Sequence, residues 1–292
     1  MHASQHQVSP IRRLLVLLLA LSAIQSAAAQ TFTVLYSFNA SGNLSDGGWP
    51  EGGVTRDTAG NLYGTTFYGG SGTGCDIYYN GCGTVFKIDT SGVETVLHSF
   101  SGAGDGWNPT ARVILDSAGN IYGTTWLGGA YSFGAVFKLD SSGTVTVLHN
   151  FAGGSDGANP MAAPVLDAAG NMYGVTSAGG PYFGIVYMID TSGNESVLYR
   201  FTGGSDGAYP YSHLLVDAAG NLYGTVSQSG PAGAGTVFEL SGSSLTTLYG
   251  FLGSNDGSIP MGGLITDTTG NFYGTTVQAG ANGWGTVFEV QP

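Results

Sequence analysis

The stretch Asp57-Thr58-Ala59-Gly60-Asn61-Leu62-Tyr63-Gly64 decides the fold, because its pattern Asp-x-x-Gly-Asn-x-Tyr-Gly returns four more times in the chain. The later copies begin at Asp116, Asp167, Asp217 and Asp267, so that successive copies are 59, 51, 50 and 50 residues apart. A near-constant period of this size indicates a repeat architecture in which each repeat is one supersecondary unit.

Each period contains four short runs of β-branched and aromatic residues, separated by Gly, Asn, Asp and Ser. This pattern predicts strands and turns, without helices. In the second unit the runs are A (113–115), B (Ile121–Thr125), C (Ala135–Leu139) and D (145–151). Runs A and B are joined by Asp116 to Gly119, and C and D by Asp140 to Gly143, which is the composition of a tight hairpin. We expect the glycine in each B run, such as Gly123, to let neighbouring sheets approach closely.

Five units of four antiparallel strands predict an all-β fold, a five-bladed β-propeller. The N-terminal run 31–38 resembles a D strand with no A, B or C before it, and the run 285–290 resembles a C strand with no D after it. We therefore expect the N-terminal strand to complete the last blade and close the ring, which would remove exposed sheet edges. Residues 30–292 would then form a single domain.

The first 29 residues have the composition of a secretory signal peptide. Arg12 and Arg13 precede an apolar run at 14–24, and Ala27-Ala28-Ala29 forms a small-residue cleavage site before Gln30. We expect a protein that is secreted, or held in the periplasm or at the cell surface. Without Arg12 and Arg13, 5 basic residues (7 − 2) face 19 acidic ones, a net charge of −14. Such a charge argues against nucleic acid and anionic membranes as partners.

The chain has two cysteines, Cys75 and Cys82, with six residues between them. In an exported protein this spacing predicts a local disulfide. With no pair of histidines nearby, the two thiols make a weak metal site, and we predict no metal or other cofactor.

The repeated turn aspartates at positions 57, 116, 167, 217 and 267 have two interpretations. They could cap their own hairpins, or they could be ligands of five calcium loops. We favour hairpin capping because the spacing suits turn chemistry and lacks the ligand density of a calcium loop. Calcium remains the alternative cofactor.

A second motif, Asp-Gly-x-x-Pro, occurs once per unit, between run D and the next run A. We expect these D–A loops to share one face with the B–C loops and to bring five aspartates to the mouth of the central channel. Aromatic residues beside carboxylates on one face suit the binding of sugars. The predicted ligand-binding residues are Asp46, Trp49, Asp105, Trp107, Trp126, Asp156, Asp206, Tyr209 and Asp256.

The unit Asp217 to Gly224, followed by Gly235-Thr236-Val237-Phe238-Glu239-Leu240, resembles the bacterial choice-of-anchor tandem repeat of the GloVer type. The resemblance extends over essentially the whole chain after the signal peptide. It implies an exported or surface-displayed, propeller-like repeat protein, and it implies no particular activity.

From these observations we predict a monomeric, non-enzymatic binding protein for extracellular carbohydrate or protein, with carbohydrate favoured. Near-equivalent units suit several weak contacts better than one asymmetric active site. One alternative is a glycoside hydrolase, which needs two carboxylates; Glu51 and Asp76 are then the candidates, with Arg112 and His213 nearby. These two carboxylates, like Glu94 and Glu195, are not copied in every unit. Another alternative is a structural or protein-interaction scaffold.

Overall fold

The computed structural model describes residues 31–39, 44–75, 81–180 and 183–291. The chain divides into two compact units, Met1–Leu35 and Tyr36–Pro292. In the first unit, residues 31–35 are described and carry neither helix nor strand; the predicted signal peptide lies outside the described residues. The described residues include no helix with the length and apolar character of a membrane span.

The second unit consists of five antiparallel sheets, each built from strands that follow one another in the chain. Sheets 1 to 4 contain four strands each, and sheet 5 contains three. The strands of the described residues are β1 (Thr55–Arg56), β2 (Leu62–Thr66), β3 (Thr84–Ile88) and β4 (Glu94–Ser99) in sheet 1; β5 (Ile114–Leu115), β6 (Ile121–Thr125), β7 (Ala135–Leu139) and β8 (Val145–Asn150) in sheet 2; β9 (Val165–Leu166), β10 (Met172–Thr176), β11 (Ile185–Ile189) and β12 (Glu195–Arg200) in sheet 3; β13 (Leu215–Val216), β14 (Leu222–Val226), β15 (Thr236–Ser241) and β16 (Ser244–Gly250) in sheet 4; β17 (Ile265–Thr266), β18 (Phe272–Thr276) and β19 (Thr286–Val290) in sheet 5. A short 3-10 helix, Gly154–Asp156, lies between sheets 2 and 3.

The repeated motif forms the first hairpin of each sheet, and its aspartate holds the turn. In sheet 2, Asp116 accepts hydrogen bonds from the backbone N–H of Asn120 (2.9 Å), the Asn120 side-chain amide (2.7 Å) and the Tyr122 hydroxyl (3.0 Å). The other four copies make the same three bonds. Hairpin capping is therefore confirmed, and the motif needs its Tyr because the hydroxyl completes the coordination of the carboxylate.

These bonds also set the charge state of the turn. Partial burial disfavours the ionised form of Asp116, but the hydrogen bonds from Asn120 and Tyr122 outweigh burial and lower the pKa of the carboxyl. Burial and the hydrogen bond to Asp116 raise the pKa of Tyr122 to about 12. The turn therefore holds one carboxylate and one neutral phenol at neutral pH.

Successive sheets pack face to face through aromatic side chains. Phe100, which follows β4, lies edge-on against Phe137 of sheet 2, with ring centroids 5.1 Å apart. The same contact recurs in the pairs Phe38–Phe86, Phe151–Tyr187, Phe201–Phe238 and Phe251–Phe288. Four separate hydrophobic clusters occupy the spaces between consecutive sheets. Each unit thus buries its apolar face against the next one, as expected for a repeat protein.

The glycine at the end of each repeated motif has a different role from the one predicted. Gly123 pairs across the sheet with Phe137, and a Cβ at Gly123 would lie 2.6 Å from Phe137 Cζ. The equivalent distances are 2.6 Å from Gly64 to Phe86 and 2.8 Å from Gly224 to Phe238. The aromatic ring of the same sheet covers the glycine, so the glycine makes room for a ring and not for a neighbouring sheet.

The predicted closure of the ring by the N-terminal strand is not formed. Residues 31–39 carry no strand, and among the described residues β19 pairs only with β18. Phe38 instead packs on Phe86 of sheet 1, the position that a D-strand phenylalanine takes before every later sheet. The five predicted sheets are present, but they do not close into a ring.

The open end of sheet 5 is visible in the exposure of its side chains. Val287 is 82% exposed, whereas the four equivalent valines in sheets 1 to 4 (Val85, Val136, Val186 and Val237) are fully buried by the following sheet. No described sheet covers this face of sheet 5, and Ile265 in β17 and Trp284 in the loop before β19 are also exposed.

The predicted disulfide between Cys75 and Cys82 is confirmed, with the two Cα atoms 5.4 Å apart. Cys82 is fully buried and belongs to the hydrophobic cluster between sheets 1 and 2. The disulfide thereby fixes the long B–C loop of sheet 1 to the core. Asp76 lies outside the described residues.

Candidate functional site

The D–A loops and the B–C loops share one face, as predicted. Single backbone bridges join them in every unit: Gly48–Tyr68, Trp107–Leu127, Ala158–Ala178, Ala208–Gln228 and Ser258–Gln278. We call this surface the loop face. The residues predicted to bind a ligand therefore do lie on or beneath one surface.

The residue before the proline of each D–A loop has a left-handed backbone. The φ angles are 57° at Trp49, 53° at Asn108, 60° at Asn159, 59° at Tyr209 and 57° at Ile259. Such angles are strained for residues other than glycine, most of all for a β-branched residue such as Ile259. Each of these residues accepts a hydrogen bond at its carbonyl from a B–C loop N–H, such as Phe67 N–H to Trp49 O at 3.0 Å. The backbone at this position is therefore held in the same conformation in every unit on the loop face, whereas the side chain differs from unit to unit.

At the first unit this arrangement forms an aromatic group, which we call the loop-face aromatic cluster: Trp49, Phe67, Tyr68 and Trp126. The ring of Trp49 meets Tyr68 edge-on at 5.1 Å, Tyr68 meets Phe67 at 4.4 Å, and Phe67 lies 6.2 Å from Trp126. Trp49 is 61% exposed, Tyr68 and Trp126 are half-buried, and Phe67 is buried beneath them. The cluster therefore presents an apolar platform on a buried support.

Trp107 and Tyr209, which were also predicted to bind ligand, are placed differently from Trp49. Trp107 packs against the cluster between sheets 1 and 2, and its indole N–H is buried without a hydrogen-bond partner. Tyr209 is half-buried and lies edge-on to Phe183 at 6.0 Å. Trp107 therefore packs half-buried against the core, and Tyr209 makes no ring contact with the aromatic cluster among those described.

The structure does not bring together the five aspartates of the D–A loops. Each carboxylate binds within its own loop, to the Tyr or His two residues before the D-strand phenylalanine. The distances are 2.7 Å for Tyr36–Asp46, 3.0 Å for His98–Asp105, 3.1 Å for His149–Asp156, 3.1 Å for Tyr199–Asp206 and 2.9 Å for Tyr249–Asp256. The backbone N–H three residues after that Tyr or His also donates a hydrogen bond to the carboxylate, as the N–H of Ala152 does to Asp156 at 2.6 Å. These aspartates hold the loops against the outer strands.

One of these pairs has an additional carboxylate from the next sheet. Glu195, the first residue of β12, offers an oxygen within 4.8 Å of a ligand atom of both His149 and Asp156. His149 is oriented by an edge-on contact with Phe151 at 4.8 Å. We call His149, Asp156 and Glu195 the junction cluster, because they bridge sheets 2 and 3. Within the described part of the chain, this is the one group of three His, Cys, Asp or Glu residues close enough to share a metal ion.

The junction cluster concentrates negative charge in a half-buried place. Oxygen Oε1 of Glu195 is buried and has no hydrogen-bond partner. Burial, with a further contribution from the charge of Asp156, raises the pKa of Glu195 to about 7, although Arg200 acts in the opposite direction. Arg200 itself donates a hydrogen bond to the carbonyl of Ser155 at 3.1 Å. The carboxyl of Glu195 is therefore poised between its charged and neutral forms.

Glu94 and Glu195 are both among the carboxylates that are not copied in every unit, but the site predicted from the sequence lay elsewhere and included neither of them, nor His149. The signal was present in the repeats: glutamate opens strand D in units 1 and 3 only, as Glu94 and Glu195. Glu94 is the counterpart of Glu195, and burial, followed by Asp46, raises its pKa as well. Of the proposed catalytic residues, Glu51 is exposed, and Asp76 is outside the described residues.

These observations define an all-β, propeller-like repeat protein with two separate candidate sites, the loop-face aromatic cluster and the junction cluster. A family model described as the Gloeobacter/Verrucomicrobia repeat matches residues 23–182 and 154–292. The chain therefore belongs to this repeat family, which confirms the resemblance seen in the sequence. No curated protein matches the chain.

Among solved structures, the chain is similar to XC5397 from Xanthomonas campestris, a gluconolactonase. The identity is 15% and the TM-score 0.50, over 86% of this chain and 79% of that one. It is also similar to the extracellular domain of BT4673 from B. thetaiotaomicron, with 11% identity and a TM-score of 0.50, over 80% of this chain and 26% of that one. The chain thus spans about a quarter of the second structure. At these identities the similarity concerns the fold alone, which is propeller-like.

Proposed function

We propose that this protein is an exported, non-enzymatic binding protein that recognises extracellular carbohydrate through its loop face. The observation that carries the proposal is the loop-face aromatic cluster. Sugar rings stack their apolar C–H faces on aromatic side chains, and such sites combine a platform of this kind with a few polar groups at its edge.

The cluster and the neighbouring Glu51 together supply both elements of a sugar site. Trp49 and Tyr68 form the exposed and half-exposed part of the platform, and Phe67 beneath them fixes their orientation. Glu51, two residues after Trp49, is exposed and offers a carboxylate for sugar hydroxyls. The strained backbone at Trp49 supports a binding role too, because strain of this kind is often retained at ligand sites.

The structure favours one site over five equivalent ones. At the position of Trp49, the later units carry Asn108, Asn159, Tyr209 and Ile259. Asn108 uses its amide to bind the carbonyl of Phe67 at 2.8 Å and therefore supports the cluster. Binding is expected at the first two units, with monovalent affinity for one short glycan segment.

The test is a glycan panel probed with the full exported chain and with the double variant Trp49→Ala/Trp126→Ala. The wild type should bind a subset of neutral or basic glycans, and the double variant should lose at least tenfold in affinity. Trp284→Ala is the matched control, because Trp284 is 91% exposed, lies in the B–C loop of unit 5 and is not part of the cluster. It should bind as the wild type does.

Three outcomes would contradict the proposal. These are the absence of glycan binding by the wild type, binding that the double variant retains in full, and release of reducing sugar from polysaccharides that Glu51→Gln abolishes. The last result would identify a glycoside hydrolase. Capture of a defined protein through the same face, without affinity for sugars, would identify a protein-interaction scaffold.

A further inference from the structure

The junction cluster is separate from the loop-face aromatic cluster, and its chemistry is of another kind. We propose that His149, Asp156 and Glu195 bind one divalent transition-metal ion, of the zinc class, between sheets 2 and 3. The argument rests on the ligand types, on their spacing and on the unsatisfied oxygen of Glu195.

The ligand types select the class of ion. Imidazole nitrogen together with two carboxylate oxygens suits zinc and neighbouring transition metals, whereas calcium and magnesium prefer an all-oxygen shell. Three protein ligands are also the usual number where zinc keeps a fourth position for water. Both cysteines form the disulfide and therefore provide no thiolate that would compete for the metal ion.

The spacing fits without rearrangement of the loop. Ligand atoms around a tetrahedral zinc ion, bonded at about 2.0–2.2 Å, lie roughly 3.3–3.5 Å from one another. Nε2 of His149 and Oδ1 of Asp156 are 3.1 Å apart, and a carboxylate oxygen of Glu195 lies within 4.8 Å of a ligand atom of each of these two residues. A small rotation of the Glu195 side chain would bring the third ligand into range.

The environment of Glu195 favours a cation. Its Oε1 is buried without a hydrogen-bond donor, next to a second carboxylate. A buried polar oxygen without a partner carries a desolvation cost that a bound cation would remove. Arg200, the basic residue of the same strand, donates its hydrogen bond to the carbonyl of Ser155.

The repeats provide internal comparisons, because the other junctions described below each lack at least one of the three ligands. The junction between sheets 1 and 2 has His98 and Asp105, but Val145 replaces the glutamate. Before sheet 1, Asp46 and Glu94 are present, but Tyr36 replaces the histidine. Between sheets 3 and 4, Tyr199 and Asp206 stand with Leu245. Within the described residues the full set occurs at one junction, so one ion per chain is expected.

The experiment is calorimetric titration of the full exported chain, produced without a polyhistidine tag and stripped with a chelator, with zinc chloride. The wild type should bind one zinc ion per chain. Glu195→Gln and His149→Tyr should each weaken this binding at least 30-fold, and His98→Tyr, the matched control at the neighbouring junction, should leave it unchanged. Tyrosine is the natural residue at this position in other units, so the variants are expected to fold, and thermal melts without zinc check this.

A gain of binding is the second arm. Val145→Glu supplies the junction between sheets 1 and 2 with the missing carboxylate and should raise the stoichiometry to two. The proposal is overturned if the wild type binds no zinc, if Glu195→Gln and His149→Tyr bind it as the wild type does, or if calcium binds the same residues as tightly. Glycan binding is unaffected by any of these results, so the two proposals stand or fall separately.

Discussion

The phenol of Tyr187 lies directly over Gly174, its partner across β10 and β11, and leaves no room for a Cβ on the glycine. The other four units have phenylalanine in place of Tyr187. The hydroxyl of Tyr187 is fully buried and has no hydrogen-bond partner. Burial, followed by the charge of Glu195, accordingly raises the pKa of this phenol.

Removing this hydroxyl should stabilise the protein. Tyr187→Phe is expected to raise the free energy of unfolding by about 1 kcal/mol, because an unpaired buried polar group costs about 1–3 kcal/mol. Urea unfolding followed by tryptophan fluorescence measures the change. The reverse substitution in sheet 2, Phe137→Tyr, should destabilise the protein by a similar amount; a loss of stability in Tyr187→Phe would show that the hydroxyl has a partner.

The glycine itself is required for space. Gly174→Ala should lower the free energy of unfolding by about 1–3 kcal/mol, since the added methyl group collides with the ring of Tyr187 and forces the core to shift. Gly104→Ala is the control, because nothing lies within 4 Å of a Cβ at Gly104. If the two substitutions had equal effects in the same unfolding assay, steric exclusion at Gly174 would be refuted.

The turn aspartates should make stability depend on acid pH. The hydrogen bonds of Asp116 lower its pKa in the folded state, so its contribution is present above the unfolded pKa of about 3.9 and is lost as pH falls through the folded value. Asp116→Ala should therefore cost about 1–3 kcal/mol at pH 7 and progressively less below about pH 4. Tyr122→Phe, which removes one of the three bonds, should cost about 1 kcal/mol at pH 7.

Measurements of unfolding at pH 3, 5 and 7 separate these cases. A cost for Asp116→Ala that stayed constant over this range would mean that the carboxylate charge has no part in holding the turn.

The burial of His213 predicts a second pH-dependent change in stability, at a pH near neutrality. Burial, with the charge of Arg112 adding to it, lowers the pKa of this imidazole below its usual value of 6.5. Because the folded pKa is depressed, the unfolded chain takes up the proton first, and stability falls as pH drops through about 6.5. Ala163 is the natural residue at the equivalent position of unit 3, which makes His213→Ala a suitable comparison.

The melting temperatures of the wild type and His213→Ala should therefore be compared at pH 7.5 and pH 5. Lowering the pH should reduce the melting temperature of the wild type more than that of the variant. All other residues are the same in the two proteins, so the difference isolates His213. Melting temperatures that differ by a constant amount at every pH would count against a buried, neutral His213.

The sequence by itself determined the five units, their strand order and the role of the repeated motif. Asp116 reaches Asn120 and Tyr122 within six residues, so those bonds follow from local backbone geometry and are repeated wherever the motif is repeated. The disulfide, with a separation of 7 between Cys75 and Cys82, was predictable for the same reason.

Only the tertiary structure decided how the units meet. Glu195 approaches Asp156 across 39 residues of sequence (195 − 156), and Trp49 is exposed whereas Trp107 packs inward, although both occupy D–A loops. Phe38 packs on sheet 1, and no strand from residues 31–39 completes sheet 5. The hydrogen bonds of a hairpin join residues that are close in sequence, so the local sequence pattern is enough to predict them. Contacts between sheets depend on how whole faces pack together. Residues of the same repeated loop, such as Trp49 and Trp107, can therefore have different surroundings that the repeat pattern does not reveal.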